Sequence, residues 1–111
     1  MNSIKEYFIN SVGKGRVFIS QPMSGKTTDE IKEEREEIIN ELTNKGFTVA
    51  DSIISATPPD SCNAGLYCLG ESLKIMSDCD YVYFMEGWKN ARGCKIEHDC
   101  AEKYKIKIMK D

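Results

Sequence analysis

The stretch RVFISQPMSGKTTDE, residues 16–30, passes from an apolar run through a turn holding Pro22 and Gly25 into a helix start, and it decides the fold. Arg16 to Ser20 is apolar and β-branched enough to read as a strand. Thr27 with Glu30 three residues on is a capping box, with acidic side chains in the first turn. Ser20 to Thr27 differs from a phosphate-binding P-loop mainly in having Ser20 where the first glycine would stand. That difference matters, because such a loop wraps a phosphate in successive backbone N–H groups, and Pro22 has none to give. The third apolar run ends Met85-Glu86, with no aspartate to hold magnesium. These departures speak against a nucleoside triphosphatase, and the turn reads as the mouth of a different site, the plainer reading being that Pro22 and Gly25 merely turn the chain.

Working outward, Ile31, Ile38, Ile39 and Leu42 lie on one helical stripe and Glu33, Glu34, Glu36, Glu37 and Glu41 largely on the other side, with Gly46 as the stop. Phe47–Asp51 reads as a second strand. The connection 52–65, with Pro58-Pro59, has little periodicity, and a loop that long in a compact domain tends to be functional or mobile. Leu66, Leu69, Leu73 and Met76 predict a second helix, and Tyr81–Met85 a third strand apolar on both faces. The turn-rich segment Gly87–Gly93 leads to a third helix with Ile96, Cys100, Ala101 and Tyr104 inward. Lys105–Met109 closes as a strand. Residues 1–15 form an N-terminal extension, with a short helix expected up to Gly13, and 16–111 a single domain.

This alternation predicts an α/β, Rossmann-like or flavodoxin-like three-layer fold: a parallel sheet of four strands, with a fifth left open, in the order 2-1-3-4. A ligand in such a sheet sits beyond the carboxyl ends of the strands where their order reverses, here between the first and third. The loops leaving those strands are Gln21–Lys26 and Glu86–Arg92.

Composition narrows the classes. The 111 residues are 41% hydrophobic and 30% charged, with net charge −3 and pI near 5.2. A nucleic-acid surface would carry a basic excess. No apolar run reaches the roughly 20 residues of a membrane span, and the start lacks a signal peptide's apolar core. No nucleic acid, no membrane and a cytoplasmic location are expected. The five cysteines form no CxxC pair and read as reduced thiols. Cys94 and His98 stand four apart but lack a second ligand pair, so no metal and no cofactor are expected.

Glu97 is the candidate catalytic residue. It falls in the second turn of the third helix, on a line shared with the small residues Gly93 and Ala101, where its carboxylate can face the crevice. The helix dipole favours the ionised form. A positioned carboxylate suits nucleophilic attack on a sugar carbon with oxocarbenium character. Gly93 lets a ligand approach backbone N–H groups, Trp88 can stack a flat base, and Asn90 and Arg92 can bind its edge or an anion. Plainer readings stand beside these: a helical glutamate in solvent, and a tryptophan capping the core. Asp80 can act chemically or only bond a backbone turn, and Arg35 can face the crevice or pair with neighbouring glutamates.

The runs VFISQPMSGKTTDEI (17–31) and LGESLKIMSDCDYVYFMEGWKNARGCKIEHDCAEKYKIKIM (69–109) resemble the nucleoside 2-deoxyribosyltransferase superfamily, nearest to its small members common in phages and bacterial mobile elements. The resemblance rests on Ser20-Gln21-Pro22-Met23, Cys79-Asp80, Gly87-Trp88 and Gly93-x-x-x-Glu97. It implies a metal-free homo-oligomer, a dimer or higher, that cleaves the N-glycosidic bond of a deoxynucleoside or its 5′-monophosphate, with Glu97 as nucleophile. Ser20, Gln21, Pro22, Met23, Ser24, Lys26, Ser72, Trp88, Asn90, Arg92, Gly93 and Cys94 form the implied ligand-binding set. The family's aspartate eight residues before Asp80 is Ser72 here, and the serine or aspartate six before Glu97 is Ala91. Glu71 or Asp80 are candidates for the missing acid. Two functions follow as expectations: an N-glycosidase or deoxyribosyltransferase, or a phage-type protein that holds a nucleotide-derived signal uncleaved. A plain interaction domain is the third.

Overall fold

A computed structural model of the chain describes residues 14–51 and 58–109. The helix expected before Gly13 and the first half of the long connection lie outside them. Four strands, β1 (Gly15–Ser20), β2 (Phe47–Val49), β3 (Tyr81–Phe84) and β4 (Lys107–Met109), alternate with helices α1 (Thr28–Asn44), α2 (Ala64–Met76) and α3 (Arg92–Lys103). All neighbouring strands are parallel, in the order β2-β1-β3-β4. The α/β fold and strand order read from the sequence are those observed.

The two faces of β1 divide the core. Val17 and Ile19 pack with Leu42 of α1, while Phe18 packs with Met76, Val82, Phe84 and Ala101 beneath α2 and α3. Helices thus cover both faces, and β1, with Val17 to Ser20 at 0–2% exposure, is buried throughout its second half. The step from β1 to β2 runs one way across the sheet and the later steps run back. A common hand of crossover then puts α1 on one side and α2 with α3 on the other. Among the described residues no helix is long and apolar enough to cross a membrane.

The capping box closes as expected: Glu30 N–H donates to Thr27 Oγ1 at 3.1 Å and Thr27 N–H to Glu30 Oε1 at 2.8 Å. Arg35 behaves differently from either sequence reading. It is buried beneath α1, donates to the Ala50 carbonyl at 3.4 Å, and has Asp51 as its electrostatic neighbour. Burial pushes its pKa down and Asp51 pushes it up. Asp80 takes the structural role, accepting the Arg16 N–H at 2.9 Å at the amino edge of the sheet.

Two expectations fail at the ends of elements. Lys105 does not begin β4, because it adopts a left-handed φ of 60° to end α3. Leu66 and Tyr104, expected inward, are 66% and 79% exposed, and Ile96 is 37% exposed. Periodicity locates a helix face but not how far the sheet beneath it extends, and four short strands cannot cover both helices along their length.

Gly15 is a fixed point of the sheet. Its φ is +134°, and a Cβ there would lie 2.9 Å from the Tyr81 ring and 3.1 Å from Asp80 Oδ2. Gly15→Ala is expected to destabilise the fold by about 2 kcal/mol, through backbone strain and displacement of the Asp80 bond. Urea unfolding with an unchanged slope would measure it.

Candidate functional site

At their carboxyl ends β1 and β3 lie side by side, Ser20 in register with Phe84, and the Met85 N–H donates to the Ser20 carbonyl at 3.0 Å. Beyond this point the chains part toward opposite faces of the sheet. The first makes a turn in which Lys26 N–H reaches the Met23 carbonyl at 3.2 Å, with Gly25 at φ +79°. The second turns at Gly87, forms a short 3-10 helix over Trp88–Asn90, and enters α3 at Ala91, which supplies no side-chain cap. Here Ala91 leaves the first N–H groups of α3 without the hydroxyl or carboxylate that a usual N-cap provides.

In the space between them, the Ser20 hydroxyl donates to Glu97 Oε1 at 2.6 Å in a buried bond. Ser20 is 1%, Glu97 8% and Cys94 4% exposed. Desolvation raises the Glu97 pKa above its ordinary range, and the Ser20 hydrogen bond works in the opposite direction. Burial also raises the Cys94 thiol, opposed by hydrogen bonding with Ser20 and reinforced by the charge of Glu97. Ser20, Cys94 and Glu97 thus form one buried polar cluster.

This cluster opens into two adjoining hollows. The inner one, about 170 Å³, is lined by Glu97, Gly93 and Cys94 of α3, by Gly65, Cys68, Leu69 and Ser72 of α2, and by Phe18, Ile19, Gln21 and Met23. The outer one, about 530 Å³, lies between Gln21–Ser24 and Asn90–Cys94. Gln21, Met23, Gly93 and Cys94 belong to both. Gln21 is held by its Nε2, which donates to the Ile31 carbonyl at 2.9 Å.

Most of the predicted set converges here: Gln21, Met23, Ser72, Gly93 and Cys94 around Glu97, and Pro22, Ser24, Asn90 and Arg92 at the outer mouth. Three residues do not. Ser20 lines neither hollow and sits behind the carboxylate. Lys26 is drawn to Glu34 at 2.9 Å on the α1 side. Trp88 stacks on His98, rings 4.3 Å apart and 11° from parallel, and packs on Phe84, so the core-capping reading is the one observed. The His98 Nδ1 lies 3.7 Å from Glu102 Oε1, and among the described residues the ligand-type atoms grouped with it are those of Asp99 and Glu102, not Cys94. Neither Glu71, paired with Lys74 at 2.9 Å, nor Asp80 lines either hollow.

Of the α2 wall, the sequence reading includes Ser72 but not Gly65, Cys68 or Leu69. Gly65, Cys68, Leu69 and Ser72 follow the i, i+3, i+4, i+7 spacing of one helical face. That spacing is legible in the sequence, but Leu69 reads there as part of the apolar stripe with Leu66, Leu73 and Met76.

Fold and site together define a Rossmann-like α/β protein with one buried carboxyl group at its topological switch point. Residues 15–110 match the family described as a domain of unknown function (DUF4406), and the chain belongs to it. Neither the curated proteins nor the solved structures contain a match.

Proposed function

We propose that the protein binds a nucleoside- or nucleotide-type small molecule and cleaves or transfers its N-glycosidic bond, with Glu97 as the nucleophile. The observation that carries this reading is the buried Glu97 carboxyl, fixed on one oxygen by Ser20 and bordering a hollow where the strand order reverses. An ionised Glu97 attacks the anomeric carbon. The C–N bond breaks, its electron pair leaves with the base, and water at the mouth protonates that base. Water or a second base then opens the glycosyl ester. The small inner hollow, with Gln21, Ser72 and Glu97 in its wall, suits a sugar, while Arg92, Asn90 and the uncapped start of α3 suit an anionic group outside. The resemblance to nucleoside 2-deoxyribosyltransferases supports the same chemistry.

One observation favours a second reading, the holding of a nucleotide-derived signal without turnover. Glu97 is the only carboxyl-bearing residue lining either hollow, so among the described residues no second acid faces the leaving base. The deciding experiment incubates the protein with deoxynucleosides and their 5′-monophosphates, follows free base by chromatography, and measures binding of uncleaved nucleotide by calorimetry. Release of base, with a rate that rises with pH through the raised Glu97 pKa, is expected; saturable binding without release favours the second reading. Neither binding nor release would sink both.

Self-association belongs to this proposal. Ile96, Cys100 and Tyr104 form a partly exposed stripe on α3 beside a groove of about 410 Å³ that Leu73, Met76 and Ile106 also line. Tyr104→Lys is expected to lower the molar mass measured by light scattering to that of a single chain.

A further inference from the structure

We propose that Ser20 is a positioning residue for Glu97, gripping Oε1 from behind so that Oε2 is the oxygen presented to the inner hollow. This rests on the reading of Glu97 as the reactive group. Ser20 lines neither hollow, although Ile19 and Gln21 on either side of it line the inner one, and it is 1% exposed. It therefore acts on a ligand only through Glu97.

Its place in the sheet makes the grip firm. Ser20 stands on a central strand, in register with Phe84, and its carbonyl accepts the Met85 N–H at 3.0 Å. The hydroxyl is thus set by the sheet and not by either loop. At 2.6 Å, its bond to Glu97 has the length of a charge-assisted O–H···O⁻ hydrogen bond.

The surroundings direct the hydroxyl proton. A serine has one proton to donate, and among the described side chains it interacts with Glu97 and Cys94. Burial and the Glu97 charge both hold Cys94 as a thiol, a weak acceptor. The donation goes to the carboxylate, where it opposes the desolvation that favours the acid form. Among the described residues, the other titratable side chains lining the hollows are Cys68 on α2 and Arg92 at the outer mouth, and no lysine or arginine lines the inner hollow. Ser20 is consequently the group that orients Glu97 and opposes the burial that favours its acid form.

Carboxyl ¹³C NMR of the full chain tests this without any ligand, with Glu97→Gln identifying the resonance. Ser20→Ala removes one oxygen and no packing atom. It is expected to move the Glu97 titration midpoint upward by about one pH unit, while Ser20→Thr, which keeps the hydroxyl, leaves it within a few tenths. In the unmodified protein the Ser20 Cβ resonance is expected to titrate with the same midpoint as Glu97. That measurement decides the matter should the threonine methyl prevent folding. An unmoved Glu97 midpoint in folded Ser20→Ala, or a Ser20 resonance silent to pH, overturns the proposal. If base is released as fast by Glu97→Gln as by the unmodified protein, the proposed function fails while this result stands, so the two failures are distinguishable.

Discussion

Glu97→Gln is expected to reduce release of free base by about 10⁴-fold or more, with ligand affinity changed only severalfold. Glutamine keeps the shape of the side chain and an oxygen for the Ser20 hydroxyl, but it cannot attack an anomeric carbon. The measurement is single-turnover chromatography alongside calorimetric binding. The same variant carries a stability signature. Burial raises the folded-state pKa of Glu97, so ionising it at neutral pH weakens the fold. Below the ordinary carboxyl range the group is protonated in both folded and unfolded chains and the penalty vanishes. As pH rises through the folded value, the penalty grows to its full size. Glu97→Gln is therefore expected to melt at a higher temperature than the unmodified protein at pH 8, and at the same temperature near pH 3. A residue retained at a loss of stability is what a reactive site predicts. Equal melting at both values would mean that Glu97 is not buried as an acid in solution.

The second large effect is a gain. Ser72 borders the inner hollow with Glu97, and Ala91 borders the outer one at the start of α3. Ser72→Asp combined with Ala91→Ser is expected to raise base release by about 100-fold, the low end of what a positioned acid contributes. Two carboxyl groups sharing a small hollow do not ionise together, and the one left protonated can serve the departing base. Ala91→Ser alone has a separate readout. It supplies the side-chain cap that α3 lacks, and thermal unfolding is expected to show about 1 kcal/mol of added stability. A double variant that binds nucleotide yet releases no more base would favour the holding function over the catalytic one.

The amino-acid sequence by itself determined the layers and the strand order, and with them the crevice that holds the candidate site. Those follow from local signals that few alternatives satisfy. The capping box at Thr27 and Glu30 starts α1, and the buried runs of β1 and β3 demand cover on both faces. The reversal of direction between β2 and β3 then leaves one crevice. Glu97 was legible because small residues one turn to either side open its helical line toward that crevice. What only the tertiary structure decided are the partners of each side chain. Ser20 turned out to hold the carboxylate from behind, Trp88 to lie flat on His98, Lys26 to turn to Glu34, and one face of α2 to wall the hollow. Periodicity fixes which side of an element a residue occupies. Whether that side meets a core, a cavity or solvent depends on distances between elements far apart in the chain, and no local pattern encodes those distances.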